Sequence, residues 1–146
     1  MDKVKSFASS LVGANPGRAA LENKSPDDVV ITLAIRSPLC KARKGGFKDT
    51  RSDELLTEMY KAVITRAGFD VKLIEDICVG NVLTPAPTFE ARAAALAAGL
   101  PDSTPVQVIN RFCSSGLMAV TTIANQIRAG QIEIGLAIGS ESMSSQ

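Results

Sequence analysis

The sequence predicts an α/β protein with a mainly parallel β-sheet. Four apolar runs of strand length alternate with segments in which apolar residues recur at helical spacing. Glycine or proline marks several changes from one pattern to the next, at Pro85, Pro87, Gly99 and Gly130. Strands that alternate with helices in this way form parallel sheets through right-handed crossovers.

The first predicted strand covers residues 29–35, which read Val-Val-Ile-Thr-Leu-Ala-Ile. Continuous apolar runs rich in β-branched residues are typical of central parallel strands, which are covered on both faces. Residues 1–28 are interrupted by serine, glycine, asparagine and proline, so we expect a leader or flexible arm there. For the basic segment 36–49 we expect a solvated loop or a subunit contact rather than a phosphate site.

A helix is predicted over 52–67, because its apolar residues form one stripe: Leu55, Leu56, Met59, Tyr60, Val63, Ile64 and Ala67. Either Thr50 or Ser52 can cap its N-terminus. A second strand is expected at 76–82. An alanine-rich helix follows from about residue 88 to 98 and stops before a glycine.

The third predicted strand, 106–110, leads almost directly into a long helix from Cys113 to about Arg128. This helix carries few charged residues before Arg128 and is apolar on nearly all sides. A helix of that kind is buried in a globular protein. We therefore expect a buried central helix, with its N-terminal thiol shielded from water, and a fourth strand over 132–138.

The composition of the chain argues against nucleic acids and membranes as binding partners. The net charge is +1, and the chain has one tyrosine and no tryptophan, so neither charge nor aromatic stacking indicates nucleic-acid binding. No apolar run reaches the ~20 residues of a membrane span. The N-terminus also lacks the apolar core of a secretory signal. We expect no nucleic-acid partner, no membrane partner and no secretion.

The cysteines and the absence of histidine limit the chemistry. Cys40, Cys78 and Cys113 are widely spaced and odd in number, which indicates reduced thiols rather than a disulfide framework or a zinc site. The chain contains no histidine, so it cannot by itself build a Ser-His-Asp triad, a Cys-His pair or a histidine-containing metal site.

Cys113 lies where a predicted strand ends and a predicted helix begins. Ligands of parallel α/β sheets collect at the carboxyl ends of strands. Backbone N–H groups at a helix N-terminus favour the thiolate, the nucleophilic form of cysteine, and Arg111 adds a nearby positive charge. From spacing alone, a nucleophile and a small core residue are equally good interpretations of Cys113. For Cys78, which lies within an apolar strand, and for Cys40, which lies in a loop with no acid–base partner nearby in sequence, a structural interpretation is the better one.

Ordered motifs carry a resemblance to a known family. Asn-Arg-Phe-Cys-Ser-Ser-Gly-Leu at 110–117 resembles the nucleophile motif of thiolases, and Gly-Ser-Glu-Ser-Met-Ser at 139–144 resembles a segment that follows the fourth strand in that family. The motifs at 35–38, 45–47 and 78–82 follow the family order. The resemblance runs from about Asp28 to Ser144 and is most similar to fungal peroxisomal 3-ketoacyl-CoA members. It implies a thiolase-like layered fold, of which residues 29–146 are the N-terminal half.

The resemblance implies an acyltransferase that cleaves a 3-oxoacyl-CoA with CoA in fatty acid β-oxidation. Cys113 would carry the acyl group as a thioester, with its backbone N–H forming part of an oxyanion hole. Met143 would line the acyl pocket. The resemblance further implies coenzyme A as a substrate, no tightly bound cofactor, no metal, and a homodimer formed through the N-terminal half.

The departures from the family are as informative. Its second half contributes a Gly-His-Pro motif, a second catalytic cysteine in a Cys-x-Gly-Gly motif, an Asn-Glu-Ala-Phe segment and most of the CoA-binding loop domain, none of which occurs here. We therefore expect this isolated chain, as a fragment or truncated product, to be inactive. Alternatives are a ketoacyl synthase or hydroxymethylglutaryl-CoA synthase, a non-catalytic half that binds a full-length thiolase subunit, and a half that is unstable alone.

The N-terminus bears on localisation. Peroxisomal thiolases often carry an address of the form basic, aliphatic, five residues, histidine or glutamine, leucine. Lys3, Val4 and Leu11 fit this pattern, whereas Ser10 stands where histidine or glutamine is expected. The resemblance implies the peroxisome, with the cytoplasm as the alternative.

Overall fold

The computed structural model describes residues 22–144. Three α-helices lie entirely in this range: α1 (Ser52–Arg66), α2 (Pro87–Ala98) and α3 (Ser115–Arg128), and a short 3-10 helix covers Val71–Leu73. The strands in the same range are β1 (Asp76–Gly80), β2 (Val106–Ile109) and β3 (Gly135–Gly139). The chain divides into two compact units, 1–30 and 31–146, and all of these elements belong to the second. Within the described range, no helix is long and apolar enough to cross a membrane.

The three strands form one parallel sheet in the order β2-β1-β3. Val79 in the central strand pairs with Val108 on one side and with Ile138 on the other. Each crossover between parallel strands contains a helix, because parallel neighbours cannot be joined by a tight turn. The predicted α/β class with a parallel sheet is confirmed.

The two faces of the sheet bury different side chains, because successive strand residues point in opposite directions. Ile77 and Val79 pack in the larger core, together with buried residues of α1 and α2: Leu56, Tyr60, Ala91, Ala94 and Ala95. Cys78, on the opposite face, packs against Ala119 and Ile123 of α3. The apolar stripe predicted for the first helix and the alanines predicted for the second thus pack where the sequence indicates.

The N-terminus of α1 is closed differently from the prediction. Neither Thr50 nor Ser52 caps the helix; instead the backbone N–H of Arg51 donates to Oε2 of Glu54 at 3.1 Å. The Ser52 hydroxyl donates to Oε2 of Glu90 at 2.6 Å, which joins α1 to the first turn of α2. The helix ends follow the sequence more closely, since α2 stops at Gly99, whose φ of 97° favours a residue without a Cβ.

The strand predicted over 29–35 is wrong for this structure. These residues contain no strand, and Val30 and Ile31 are 71% and 73% exposed. A strand needs a partner for its backbone N–H and C=O groups, and the sheet described here ends at β2 and β3. The apolar run lacks that partner among the described residues. Most of the predicted leader, 1–21, lies outside the described residues.

The expectation of a helix covered on all sides is met on one face of α3 only. Ser115, Ala119 and Ile123 are buried against the sheet. On the opposite face Leu117 is 71% exposed and Val120 is 41% exposed. The described residues supply one layer against α3, and its outer apolar face is open.

Candidate active site

Cys113 lies in the turn between β2 and α3, at the carboxyl end of the sheet. β2 ends at Ile109, and α3 begins at Ser115 with Ser114 as its N-cap residue. The predicted position at a strand end and beside a helix N-terminus is confirmed, although the helix starts two residues later than expected. The thiol is exposed, so the expectation that it is shielded from water is wrong for the described chain.

The turn holds the residue before Cys113 in a strained conformation. Phe112 has a φ of 49°, in the left-handed region that non-glycine residues avoid. Such residues cost on the order of 1–3 kcal/mol, and strain of this kind concentrates at functional sites. The phenyl ring is 77% exposed, so its burial does not offset that cost. The compensation lies in the hydrogen bonds of the turn.

The side chains of Asn110 and Ser115 hold the peptides on either side of Phe112. The Oδ1 atom of Asn110 accepts from the N–H of Phe112 at 2.9 Å. The buried hydroxyl of Ser115 accepts from the N–H of Arg111 at 2.9 Å and donates to the carbonyl of Phe112 at 2.6 Å. None of these hydrogen bonds uses the N–H of Cys113. The peptides around the thiol are therefore fixed without using that donor.

Gly80, the last residue of β1, lets α3 approach the sheet. A Cβ at this position would overlap the backbone of Ser115 and lie 2.6 Å from the nitrogen of Gly116. Real Cβ atoms do not approach other backbone atoms so closely, so the first turn of α3 can rest on β1 only because residue 80 has no side chain. The central strand thus fixes the helix end beside Cys113.

Side-chain hydrogen bonds join the loops that follow β1 and β3. Buried Asn81 donates from Nδ2 to the carbonyl of Ser140 at 2.7 Å. The carboxylate of Glu141 accepts from the N–H of Val82 at 3.0 Å and of Leu83 at 3.3 Å. The carboxyl ends of these adjacent strands therefore behave as one connected unit.

Met143 follows β3, on the other side of β1 from the strand that leads to Cys113. The structure therefore brings both predicted site residues to the same end of the sheet. The Met143 side chain is 59% exposed. The basic loop reaches this segment too, because the N–H of Arg43 donates to the hydroxyl of Ser144 at 2.9 Å. The role of Met143 in an acyl pocket stays a prediction.

A groove lies beside the Cys113 turn, with a volume of about 140 Å³, and its lining residues are Arg111, Ser114, Leu117, Met118 and Thr121. The guanidinium of Arg111 contacts the sulfur of Met118 at 3.1 Å. Ligand pockets typically have volumes of roughly 300–1,000 Å³. The groove is therefore too small to enclose an acyl-CoA by itself.

The other two cysteines differ from Cys113 and from each other. Cys78 is fully buried, and burial together with the nearby Asp76 carboxylate raises the pKa of its thiol. A thiol of this kind is a core residue, as predicted. Cys40 is exposed in the basic loop, where the sequence places it, and its structural, non-catalytic interpretation stays a prediction.

Asn110, Ser115 and Glu141 were not identified as functional residues from sequence. The partners of Glu141 lie 58 and 59 positions away along the chain. Asn110 and Ser115 lie inside the cysteine motif, and their position next to the thiol is the one sequence signal for their role. The hydrogen bonds that these residues make become visible only in three dimensions.

Comparisons with known proteins agree with this geometry. Residues 29–146 match the family model described as Thiolase, N-terminal domain. The peroxisomal 3-ketoacyl-CoA thiolase of Yarrowia lipolytica is 49% identical over 149 aligned residues, which cover 100% of this chain and 36% of that protein.

Two solved structures from Saccharomyces cerevisiae are similar. The dimeric peroxisomal thiolase superimposes with a TM-score of 0.81 at 50% identity, covering 86% of this chain and 33% of that one. A second peroxisomal 3-ketoacyl-CoA thiolase structure, described as five-layered α-β-α-β-α and built from two core domains of identical topology, gives a TM-score of 0.78 at 51% identity over 83% and 37% of the two chains.

The structure is thus a parallel α/β domain that presents an exposed cysteine in a strained strand-to-helix turn. The chain belongs to the thiolase family. It spans about a third of the length of the relatives it matches.

Proposed function

We propose that this chain is the N-terminal part of a 3-ketoacyl-CoA thiolase, an acyltransferase of fatty acid β-oxidation in the peroxisome. The single observation that carries the proposal is the position of Cys113. It is exposed at the carboxyl end of a parallel sheet, in a turn whose strain is held by side-chain hydrogen bonds. The peroxisomal names of the relatives support both the reaction and the compartment.

The proposed reaction has two steps, each with Cys113 at its centre. The thiolate attacks C3 of a 3-oxoacyl-CoA, and the bond between C2 and C3 breaks. Acetyl-CoA leaves after C2 takes a proton from an acid that lies outside this chain, and the acyl group remains on sulfur. The thiol of a second CoA attacks this thioester, releases an acyl-CoA two carbons shorter and restores Cys113. Covalent catalysis of this kind divides one difficult step into two easier ones.

Two further roles belong to the same proposal. The N–H of Cys113, which the hydrogen bonds of the turn leave unused, would donate to the oxyanion that develops on the attacked carbonyl. Met143 would contact the acyl chain, since it lies exposed at the same end of the sheet. Coenzyme A enters as a substrate, and the proposal requires no tightly bound cofactor.

The open face of α3 fits this assignment. Leu117 and Val120 form an apolar surface on the outer side of the helix, and the exposed ring of Phe112 lies at its N-terminal end. Exposed apolar surfaces of this kind mark interaction sites. We propose that in the complete protein a second core domain covers α3, which would supply the missing layer and exclude water from Cys113.

We also propose that the complete protein is a homodimer and that this half contributes to the interface. The related S. cerevisiae thiolase is dimeric. The same open surface favours a second candidate function, a non-catalytic half that binds a full-length thiolase subunit. Co-purification of this chain with an intact subunit, lost when Leu117 is replaced by Glu, would support that second function.

A chimaera tests the leading proposal. The matching third of the S. cerevisiae peroxisomal thiolase is replaced by residues 29–144 of this chain, and thiolysis of acetoacetyl-CoA is measured. We expect activity in the chimaera, loss of at least about a thousandfold in Cys113→Ala, since the nucleophile is removed, and near-normal activity in the matched Cys40→Ala. A folded chimaera without activity, or an active Cys113→Ala variant, would refute the proposal.

The isolated chain should not turn over substrate, because it contains neither a histidine base nor the cysteine of a Cys-x-Gly-Gly motif to move protons. Purified chain is incubated with acetoacetyl-CoA and CoA, and loss of the 3-oxoacyl-CoA absorbance is followed. Thiolysis at an enzymatic rate by the chain alone would show that this part of the account is wrong.

A further inference from the structure

We propose that Glu141 and Asn110 are positioning residues for Cys113 and act in series through the loop after β1. This inference deepens the proposed function, because it concerns how the same nucleophile is held. Glu141 fixes the loop at Val82 and Leu83, the loop holds Asn110, and Asn110 holds the peptide that precedes the thiol.

The first step of the series is the carboxylate of Glu141. It accepts two hydrogen bonds from consecutive backbone N–H groups, those of Val82 and Leu83. Hydrogen bonds to an ionised carboxylate are stronger than those between neutral groups. Glu141 itself is tied to the sheet, since it follows Ser140, whose N–H donates to the carbonyl of Gly80 at 2.9 Å. The loop after β1 is thereby fixed from the β3 side.

The second step is the amide of Asn110, which bridges two backbone groups. Its Nδ2 donates to the carbonyl of Val82 at 3.3 Å, and its Oδ1 accepts from the N–H of Phe112 at 2.9 Å. The carbonyl of Val82 belongs to the residue whose N–H is bound by Glu141. A displacement of Val82 would therefore move Asn110 and, through it, the peptide next to Cys113.

The third step is the strain at Phe112. A left-handed non-glycine residue relaxes unless its surroundings hold it. The hydrogen bond that the N–H of Phe112 donates to Asn110 is one of the two side-chain bonds that hold Phe112. Relaxation of Phe112 would rotate the peptide that leads into Cys113 and carry the sulfur away from the N-terminus of α3. The thiol would then lose the exposed position that the turn gives it.

The experiment measures alkylation of the full 146-residue chain by iodoacetamide, a neutral reagent, with mass spectrometry reporting each cysteine separately. Exposed Cys40 measures the intrinsic reactivity of a free thiol, and buried Cys78 reports whether the chain is folded. We expect Glu141→Ala to lower the ratio of the Cys113 rate to the Cys40 rate about fivefold, because the relaxed turn no longer holds the thiol in its exposed position.

The sign of the effect separates positioning from simple electrostatics. Removing a negative charge near a thiol favours the thiolate and would accelerate alkylation, whereas loss of positioning slows it. Glu141→Gln removes the charge but keeps an oxygen that can accept one of the two N–H groups. It should therefore retain more of the Cys113 rate than Glu141→Ala.

Glu75 provides a matched control at the other end of the sheet. Its carboxylate also accepts two consecutive backbone N–H groups, those of Glu133 at 2.5 Å and Ile134 at 3.2 Å. Glu75→Ala should leave the rate ratio within about 1.5-fold of wild type, since distant sites act independently. If both alanine variants lower the ratio equally, general loosening of the fold explains the effect and the inference is wrong.

A double-mutant cycle tests the series itself. Asn110→Ala should slow Cys113 at least as much as Glu141→Ala, and the double variant should resemble Asn110→Ala, because groups that act through one path are not additive. Fully additive effects would overturn the series. Should Glu141→Ala expose Cys78, the Glu141→Gln and Asn110→Ala variants decide: an unchanged ratio in both rejects the inference.

These readouts are separate from those for the proposed function. If the chimaera fails to transfer acyl groups while the Cys113 ratio still falls in Glu141→Ala, the positioning inference stands and the enzymatic proposal fails. If the chimaera is active and its Cys113→Ala variant is not, an unchanged ratio in the positioning variants rejects the inference alone.

Discussion

At each end of the sheet a glutamate carboxylate accepts hydrogen bonds from two consecutive backbone N–H groups, but the surroundings of the two glutamates differ. At the amino end, Glu75 accepts from the backbone of Glu133 and Ile134, and at the carboxyl end Glu141 accepts from Val82 and Leu83. The amino end is otherwise closed by ordinary buried hydrogen bonds. An example is the hydroxyl of Thr104, which donates to the carbonyl of Ile74 at 2.9 Å.

At the carboxyl end, the hydrogen bonds keep one residue in a strained backbone conformation and leave side chains exposed, rather than relieving the strain or burying those side chains. Phe112 is left-handed, Cys113 is exposed, and the apolar side chains of Phe112 and Leu117 remain uncovered. Groups of this kind destabilise an isolated domain and are retained where they serve a function. The amino end therefore stabilises the fold, whereas the carboxyl end presents the exposed thiol of Cys113, the proposed nucleophile.

The largest expected difference concerns two cysteines on the α3 side of the sheet. Cys78, within β1, should react with a thiol reagent about a thousandfold more slowly than Cys113, because a buried thiol reacts only when the structure opens and because its pKa is raised by burial and by Asp76. Counting the thiols that react rapidly in the native chain should give Cys40 and Cys113. Rapid reaction of all three would contradict the packing of α3 on the sheet.

Gly80→Ala should lower the free energy of unfolding by disturbing the packing of α3 at the carboxyl end of the sheet. The new Cβ would overlap the backbone of Ser115, and overpacking of this kind costs about 3 kcal/mol of unfolding free energy. Urea unfolding followed by circular dichroism measures the change. Gly116→Ala is the matched control, since its Cβ would lie 3.6 Å from the Cα of Gly139, an ordinary contact. Equal stability of the two variants would argue against close approach at Gly80.

Thr104→Val should destabilise the amino end of the sheet without changing the reactivity of Cys113. It removes a buried hydroxyl and leaves the carbonyl of Ile74 without that donor, at a cost of about 1.5 kcal/mol. Thr65→Val is the control, because Thr65 makes a similar hydrogen bond to Lys61 on an exposed helix face, and its effect should stay within about 0.5 kcal/mol. A change in Cys113 alkylation in Thr104→Val would show that the two ends are coupled.

Sequence alone predicted the parts of the fold whose signals are local. The helical stripe that includes Leu56, Tyr60 and Val63, the buried run at Ile77 and Val79, and the glycine stop at Gly99 all gave elements close to those observed. Residues 29–35 failed because an apolar run becomes a strand only beside a partner, and the sequence of the run does not say whether one is present. For the same reason the burial of α3 was overestimated on its outer face.

For the candidate site, too, the sequence predicted the local features and not those that depend on distant contacts. The strand-to-helix pattern placed Cys113 correctly, since it depends on neighbours in sequence. The exposure of Cys113, the left-handed Phe112 and the hydrogen bonds of Asn110 and Glu141 were not predicted, because they depend on which loops meet at the end of the sheet. Distant contacts of this type leave no periodic signal in a single sequence.

The sulfur of Cys113 should accept an acyl group when the rest of the protein is present, and peptide mapping can detect that group. The chimaera is mixed briefly with acetoacetyl-CoA in the absence of free CoA, quenched in acid and digested. We predict an acetyl group on the peptide that contains Cys113, and its release as acetyl-CoA when CoA is added before the quench. An acetyl group on another residue, with Cys113 unmodified, would contradict the assignment of Cys113 as the nucleophile.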